Sequence, residues 1–126
     1  MSEKELVAVM KAFGDAFNRH DLDAIMALMT VDCVFDSFAG PDICGTHFEG
    51  QDEVRRGFTR IWEVCPDAKF SETRSFISGT RGVSEWLFTG TIADGEYIEV
   101  NGCDLFTFRD GKIAVKDAFR KQRTSG

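Results

Sequence analysis

The stretch that decides the fold is Tyr97-Ile98-Glu99-Val100-Asn101-Gly102-Cys103-Asp104-Leu105-Phe106-Thr107-Phe108-Arg109-Asp110-Gly111-Lys112-Ile113-Ala114-Val115-Lys116-Asp117-Ala118-Phe119-Arg120-Lys121. Asp-Gly between two runs of alternating apolar residues signals a tight β-hairpin. The reading places strands over Tyr97–Arg109 and Lys112–Lys121. Alternation groups Asp104 with Val100, Phe106 and Phe108, so a carboxylate sits on an apolar face. Keeping it charged there costs several kcal/mol unless a cation pairs with it. It is therefore either half of a structural ion pair or an acid/base with a raised pKa. The turn decides what opposes it. A two-residue Asp110-Gly111 turn sets Arg109 opposite Lys112 and Asp104 opposite Asp117, a like-charge dyad. A three-residue loop closed by Gly111 with a bulge sets Asp104 opposite Lys116, a neutralising pair. One residue of register flips the last strand over.

Working outward, period-two patterns also mark strands over Ala68–Ser78 and Val83–Ala93, with turns at Gly79-Thr80-Arg81-Gly82 and Asp94-Gly95-Glu96. Before Pro66 the period is helical. Ser2 and Glu5 form a capping box ahead of Leu6, Met10, Phe13 and Phe17. Asp21 caps a short second helix carrying Leu22, Ile25, Met26 and Met29. A short strand spans Cys33–Phe38, with Val34, Asp36 and Phe38 on one face. A Gly- and Pro-containing loop covers Ala39–Gly50, and a third helix from Gln51 presents Val54, Phe58, Ile61 and Trp62. Three helices followed by antiparallel strands make an α+β domain, with the helices over the concave face of a curved sheet. A ligand would sit between them.

Bulk properties narrow the function. The chain has 126 residues, enough for one domain. A net charge of −6 disfavours nucleic acid, because the polymer's phosphates would be repelled. No apolar run approaches the roughly 20 residues that span a bilayer. The charged N-terminus is unlike a signal peptide. Four separated cysteines (Cys33, Cys44, Cys65, Cys103) read as reduced thiols of a cytoplasmic protein. Cys44-Gly45-Thr46-His47 has the spacing of half a zinc site, but no second Cys/His pair follows, so no metal is expected. Nucleophile-elbow, Walker, Rossmann and zinc-protease motifs are missing from the sequence. Twelve Phe against one Tyr and two Trp suggest apolar walls, with Phe13, Phe17, Trp62 and Phe106 around a small hydrophobic ligand. What remains is proton-transfer chemistry on that ligand, or binding alone.

Two more segments join the hairpin in a resemblance. These are Phe17-Asn18-Arg19-His20-Asp21-Leu22-Asp23-Ala24 with Asp32-Cys33-Val34-Phe35-Asp36, and Phe48-Glu49-Gly50-Gln51-Asp52-Glu53-Val54. Together with Asp104 to Ile113 they resemble nuclear-transport-factor-2-like domains, in the branch of SnoaL-like polyketide cyclases and ketosteroid isomerases. The resemblance implies a cone-shaped α+β barrel: three N-terminal helices packed on a strongly curved, mostly antiparallel sheet. It implies no cofactor. Asp104 resembles the acid/base of the cyclases. It also resembles the isomerase's second Asp, which an apolar site keeps protonated so that it can hold an oxyanion. Asp36 is similar to the isomerase's general base. The isomerase's helical Tyr falls at Phe13, so that hydroxyl is lost. Limonene epoxide hydrolase's Arg and Asp fall at Trp86 and Phe88, which disfavours that activity.

The family pattern also puts Lys116, Ala118 and Arg120 on the pocket face, favouring the bulged turn. Ile113, Val115, Phe119, Cys103 and Leu105 would then form an apolar outer face suited to a homodimer. The expected site is Asp104, Asp36 and Lys116, with His47 and Glu85 as auxiliaries. The expected activity is isomerase, cyclase or lyase chemistry on a small carbonyl compound. The alternative is a non-catalytic ligand-binding or dimerisation module.

Overall fold

The computed structural model describes residues 1–125. The first helix, α1 (Glu3–Asn18), starts at the expected capping box: the Ser2 hydroxyl accepts from the Glu5 backbone N–H at 3.1 Å. Its stripe Leu6, Met10, Phe13 and Phe17 is buried. Asp21 caps α2 (Leu22–Ala27) by accepting from the Ala24 N–H at 3.1 Å. The chain then enters β1 (Met29–Asp36), earlier than the alternation indicated, so Met29 belongs to a strand. A three-residue strand, β2 (His47–Glu49), lies inside the segment read as a loop. It is too short for a period to show. Next come α3 (Gly50–Val64), β3 (Lys69–Ser78), β4 (Arg81–Thr91), β5 (Tyr97–Arg109) and β6 (Lys112–Arg120).

The strands form one curved sheet in the order β2-β1-β6-β5-β4-β3. All neighbours are antiparallel except β1 and β6, which run parallel. The two edges, β2 and β3, stay apart, so the cone is an unclosed sheet. Register irregularities fall in β1–β6, β3–β4 and β5–β6, and such bulges bend and twist strands. The helices cover the concave side. Their rings interdigitate with those of the sheet: Phe13 packs edge-on against Phe58 at 5.7 Å and Phe106 at 5.6 Å.

The β5–β6 hairpin follows neither expected register. Asp110 (φ 53°) and Gly111 (φ 78°) are both left-handed, as a two-residue type I′ turn requires, and Arg109 faces Lys112. Past the turn Phe108 faces Ile113, then Thr107 faces Val115, so Ala114 is an extra residue. Beyond that bulge Phe106 faces Lys116 and Asp104 faces Ala118. Lys116 thus reaches Asp104's face one step along the diagonal rather than directly opposite. The bulge also lets Ile113 and Lys116, three residues apart, both point inward. Ile113 is fully buried in the core, not on the outer face with Val115 and Phe119.

Candidate functional site

Asp104 sits in the middle of β5, between Ser84 of β4 and Ala118 of β6. Residues 100, 102, 104, 106 and 108 alternate inward, and their neighbours on β4 and β6 do the same. The Lys116 ammonium lies 3.0 Å from Asp104 Oδ1, and both side chains are buried, 3% and 6% exposed. The geometry is that of an ion pair without a well-aligned hydrogen bond, and Oδ1 accepts no hydrogen bond from the described residues. Four rings surround the ammonium: Phe35 at 4.7 Å, Phe13 at 5.7 Å, Phe70 at 5.8 Å and Phe58 at 6.0 Å. Their negative faces attract the cation and replace part of its lost hydration. Burial pushes the Asp104 carboxyl up, opposed by the charge of Lys116 and more weakly by the Trp86 indole N–H.

The aromatic side chains pack on one another under the helices. What reaches Asp104 is a cleft of about 310 Å³ between α1 and β3–β5, walled by Phe13, Phe70, Trp86 and Phe106. Glu72 and Ser84 stand in it, the Ser84 hydroxyl donating to Glu72 Oε2 at 3.0 Å. Asn18 ties the two walls together. Its amide donates to the Phe70 carbonyl at 2.7 Å and accepts from the Phe70 N–H at 2.9 Å. At the far end Phe17 packs on Phe70 at 4.7 Å and Trp62 at 5.3 Å, and His20 stacks on Trp62 at 4.7 Å.

The structure therefore brings together Asp104, Lys116, Phe13, Phe106 and Ala118, with Phe17 and Trp62 next to them. It does not bring in Asp36, His47 or Glu85. On β1 the inward residues are Cys33 and Phe35, so alternation turns Asp36 to the opposite face. There it meets His47, 2.6 Å from Oδ1 to Nδ1. Glu85 also points outward and accepts two hydrogen bonds from Arg74, at 3.3 and 3.0 Å. Sequence reasoning missed Glu72, Ser84 and the ring cage of Phe35, Phe58 and Phe70. Alternation from Phe70 could have placed Glu72 inward. Ser84 needed the β4–β5 register, which the Asp94-Gly95-Glu96 turn does not specify.

The SnoaL-like domain profile matches residues 10–116, from the middle of α1 to the buried lysine. The chain belongs to the SnoaL-like family. No curated relative matches this SnoaL-like chain. Among solved structures, it is similar to a candidate polyketide cyclase from Xanthomonas campestris pv. campestris: 21% identity, 93% of this chain, 90% of that one, TM-score 0.82. It is similar to TerC co-crystallised with polyporic acid: 16% identity, 93% and 92% covered, TM-score 0.81. A nuclear-transport-factor-2-like protein of unknown function from Mesorhizobium loti shares 26% identity over 95% of this chain and 93% of that one, TM-score 0.76. These similarities establish the SnoaL-like fold, with no helix long and apolar enough to cross a membrane among the described residues.

Proposed function

We propose that this SnoaL-like chain is a cofactor-independent isomerase, cyclase or lyase acting on a small hydrophobic carbonyl compound, with Asp104 as its acid/base. The observation that carries the reading is a buried carboxylate facing one cation, with an aromatic cleft leading to it. In the ionised state Asp104 takes a proton from the carbon next to the carbonyl. The electron pair moves to the carbonyl oxygen, and the new carboxylic acid returns the proton elsewhere on the same skeleton. Burial strengthens the carboxylate as a base, and Lys116 keeps it ionisable. Phe13 offers no hydroxyl to the developing oxyanion. The buried Trp86 indole N–H weakly favours the ionised form of Asp104, so it supports the base rather than the oxyanion. The fold relative TerC was crystallised with polyporic acid, which makes that compound the first ligand to try.

The test follows deuterium exchange next to the carbonyl in a panel of cyclic ketones and polyketide-like β-dicarbonyls. Asp104→Asn should lose on the order of 10²–10⁴ in rate on any substrate turned over. Equal rates for wild type and Asp104→Asn on every such substrate remove Asp104 from this role.

The second reading is a non-catalytic pocket or dimerisation module. The 3.0 Å closure of Lys116 on Asp104 favours it, since a carboxylate held against its cation is a weaker base toward a carbon-bound proton. A carboxyl titrating near neutrality by NMR counts against it. In both readings we propose a homodimer through the outer sheet face, where Phe76 and Phe119 are half exposed, 52% and 51%. Four free cysteines fit a reducing, cytoplasmic setting.

A further inference from the structure

A second group of reactive side chains stands on the other side of the sheet from Asp104. Asp36 ends β1 and His47 begins β2, and the antiparallel pairing sets them opposite each other. The His47 Nδ1 to Asp36 Oδ1 distance is 2.6 Å. Cys44, from the connecting loop, completes the group: one donor atom from each of the three residues lies within 4.8 Å of the other two. The Cys44-Gly45-Thr46-His47 spacing supplies only two donors. Strand pairing brings the third from eleven positions upstream of His47.

The loop holds these donors firmly. Ser37 N–H donates to the Thr46 carbonyl at 2.9 Å, and Asp42 and Gly45 exchange two backbone hydrogen bonds of 3.0 Å. The Ser37 and Thr46 hydroxyls both donate to the Ala39 carbonyl at 2.8 Å. Gly45, at φ 91°, comes so close to Ser37 that a Cβ would overlap its carbonyl oxygen. No other residue fits there, so glycine is what lets the Cys44–His47 turn pass close to the end of β1.

A thiolate, an imidazole and a carboxylate form the donor set of zinc-type dications, which bind at about 2.0–2.3 Å. A tetrahedral ion then spaces its ligand atoms roughly 3.3–3.8 Å apart. The Asp36–His47 separation of 2.6 Å is shorter than that, and all three donors lie within 4.8 Å of one another, so shifts of about an ångström complete the geometry. Asp117 faces Asp36 across the parallel β1–β6 pair and adds negative charge beside the donors. Cys44 and Asp117 also line an open concavity of about 1090 Å³. We propose that Asp36, Cys44 and His47 form a binding site for a zinc-type dication, with water as the fourth ligand.

The test needs no substrate, so its outcome is separate from that of the acid/base reading. Reduced, chelator-treated protein is titrated with Co²⁺ and then with Zn²⁺. The expected result is one Co²⁺ per chain, with a sulfur-to-cobalt charge-transfer band that Zn²⁺ abolishes and Mg²⁺, a hard oxygen-seeking cation, does not. Cys44→Ser should lose the band. Cys44→Ser, His47→Ala and Asp36→Asn should each weaken binding by on the order of 100-fold or more, since loss of even an outer partner costs about 10–100-fold. Cys44 and His47 lie outside the core, and far-UV circular dichroism checks that their variants stay folded. No charge-transfer band in the wild type, or a band and affinity unchanged in Cys44→Ser and His47→Ala, overturns the assignment.

Discussion

Replacing Lys116 by Met would leave Asp104 buried without its cation, and the size of the penalty follows from the structure. Met keeps the length and apolar body of the lysine stem, so the four surrounding rings retain their packing. What is lost is the positive charge 3.0 Å from a carboxyl that is 6% exposed. The carboxyl then has two options: stay ionised in an apolar wall, or take up a proton. Protonation sets the ceiling. Holding an aspartic acid neutral at pH 7, against an unfolded pKa of about 3.9, costs about 1.4 kcal/mol per pH unit, or about 4 kcal/mol. That agrees with the roughly 3–5 kcal/mol lost when one partner of a buried pair is removed.

The sign gives a sharper check than the size. In the variant the folded pKa of Asp104 is raised far above the unfolded value, so the folded state holds the proton more tightly. Stability is then highest below about pH 4 and falls as the pH rises toward the folded pKa, by up to about 1.4 kcal/mol per unit. Wild type also carries a raised Asp104, but Lys116 opposes the shift, so its loss of stability from this group ends at a lower pH than in the variant. Urea denaturation of both proteins from about pH 4 to pH 7 measures the two slopes. Replacing both partners with apolar residues, Asp104→Leu with Lys116→Met, should recover stability to within about 1 kcal/mol of wild type. A Lys116→Met penalty that does not change with pH, or is below about 1 kcal/mol at pH 7, refutes the reasoning, because it would mean that water reaches the carboxyl.

The remaining predictions concern the supports around the two groups. Asn18→Ala removes both hydrogen bonds to the Phe70 backbone, and equilibrium unfolding should show a loss of about 1–3 kcal/mol. His47 is raised by its hydrogen bond to Asp36, so NMR of metal-free protein should place its midpoint above 6.5 and return it toward that value in Asp36→Asn. By linkage, the stabilisation from that pair is present below about pH 6.5 and is lost as the pH rises through the raised midpoint, which Tm differences between wild type and Asp36→Asn across that window will show. If a second copy covers the outer sheet face, Phe119→Glu should shift analytical ultracentrifugation toward the monomer while circular dichroism stays unchanged.

The inward placement of Asp104 was legible in the sequence because it lies within a long, regular alternation between Val100 and Phe108, where period two has no competitor. Its partner was harder to read. Each expected hairpin register held half of what is found: the two-residue turn from one, and the face of Lys116 from the other. They are reconciled by the bulge at Ala114, which no turn residue announces. One clue was available. Ile113 and Lys116 are an odd number of residues apart, so a regular strand cannot turn both inward. Requiring the aliphatic Ile113 to be in the core, and Lys116 to neutralise Asp104, demands one extra residue between them. Asp36 fails for a related reason. Alternation grouped it correctly with Val34 but does not say which of two faces is the interior, and Phe35 outweighs Val34 in apolar area. Composition also says nothing about a partner from across a strand pair, so Cys44 and His47 read as half a site until β2 set His47 against Asp36. The two groups share one cause. β1 and β6 run side by side, with Phe35 beside Lys116 and Asp36 beside Asp117. One step along this parallel pair separates the buried cation and its rings from the outward acids, so a one-residue slip there would exchange the contents of both sites.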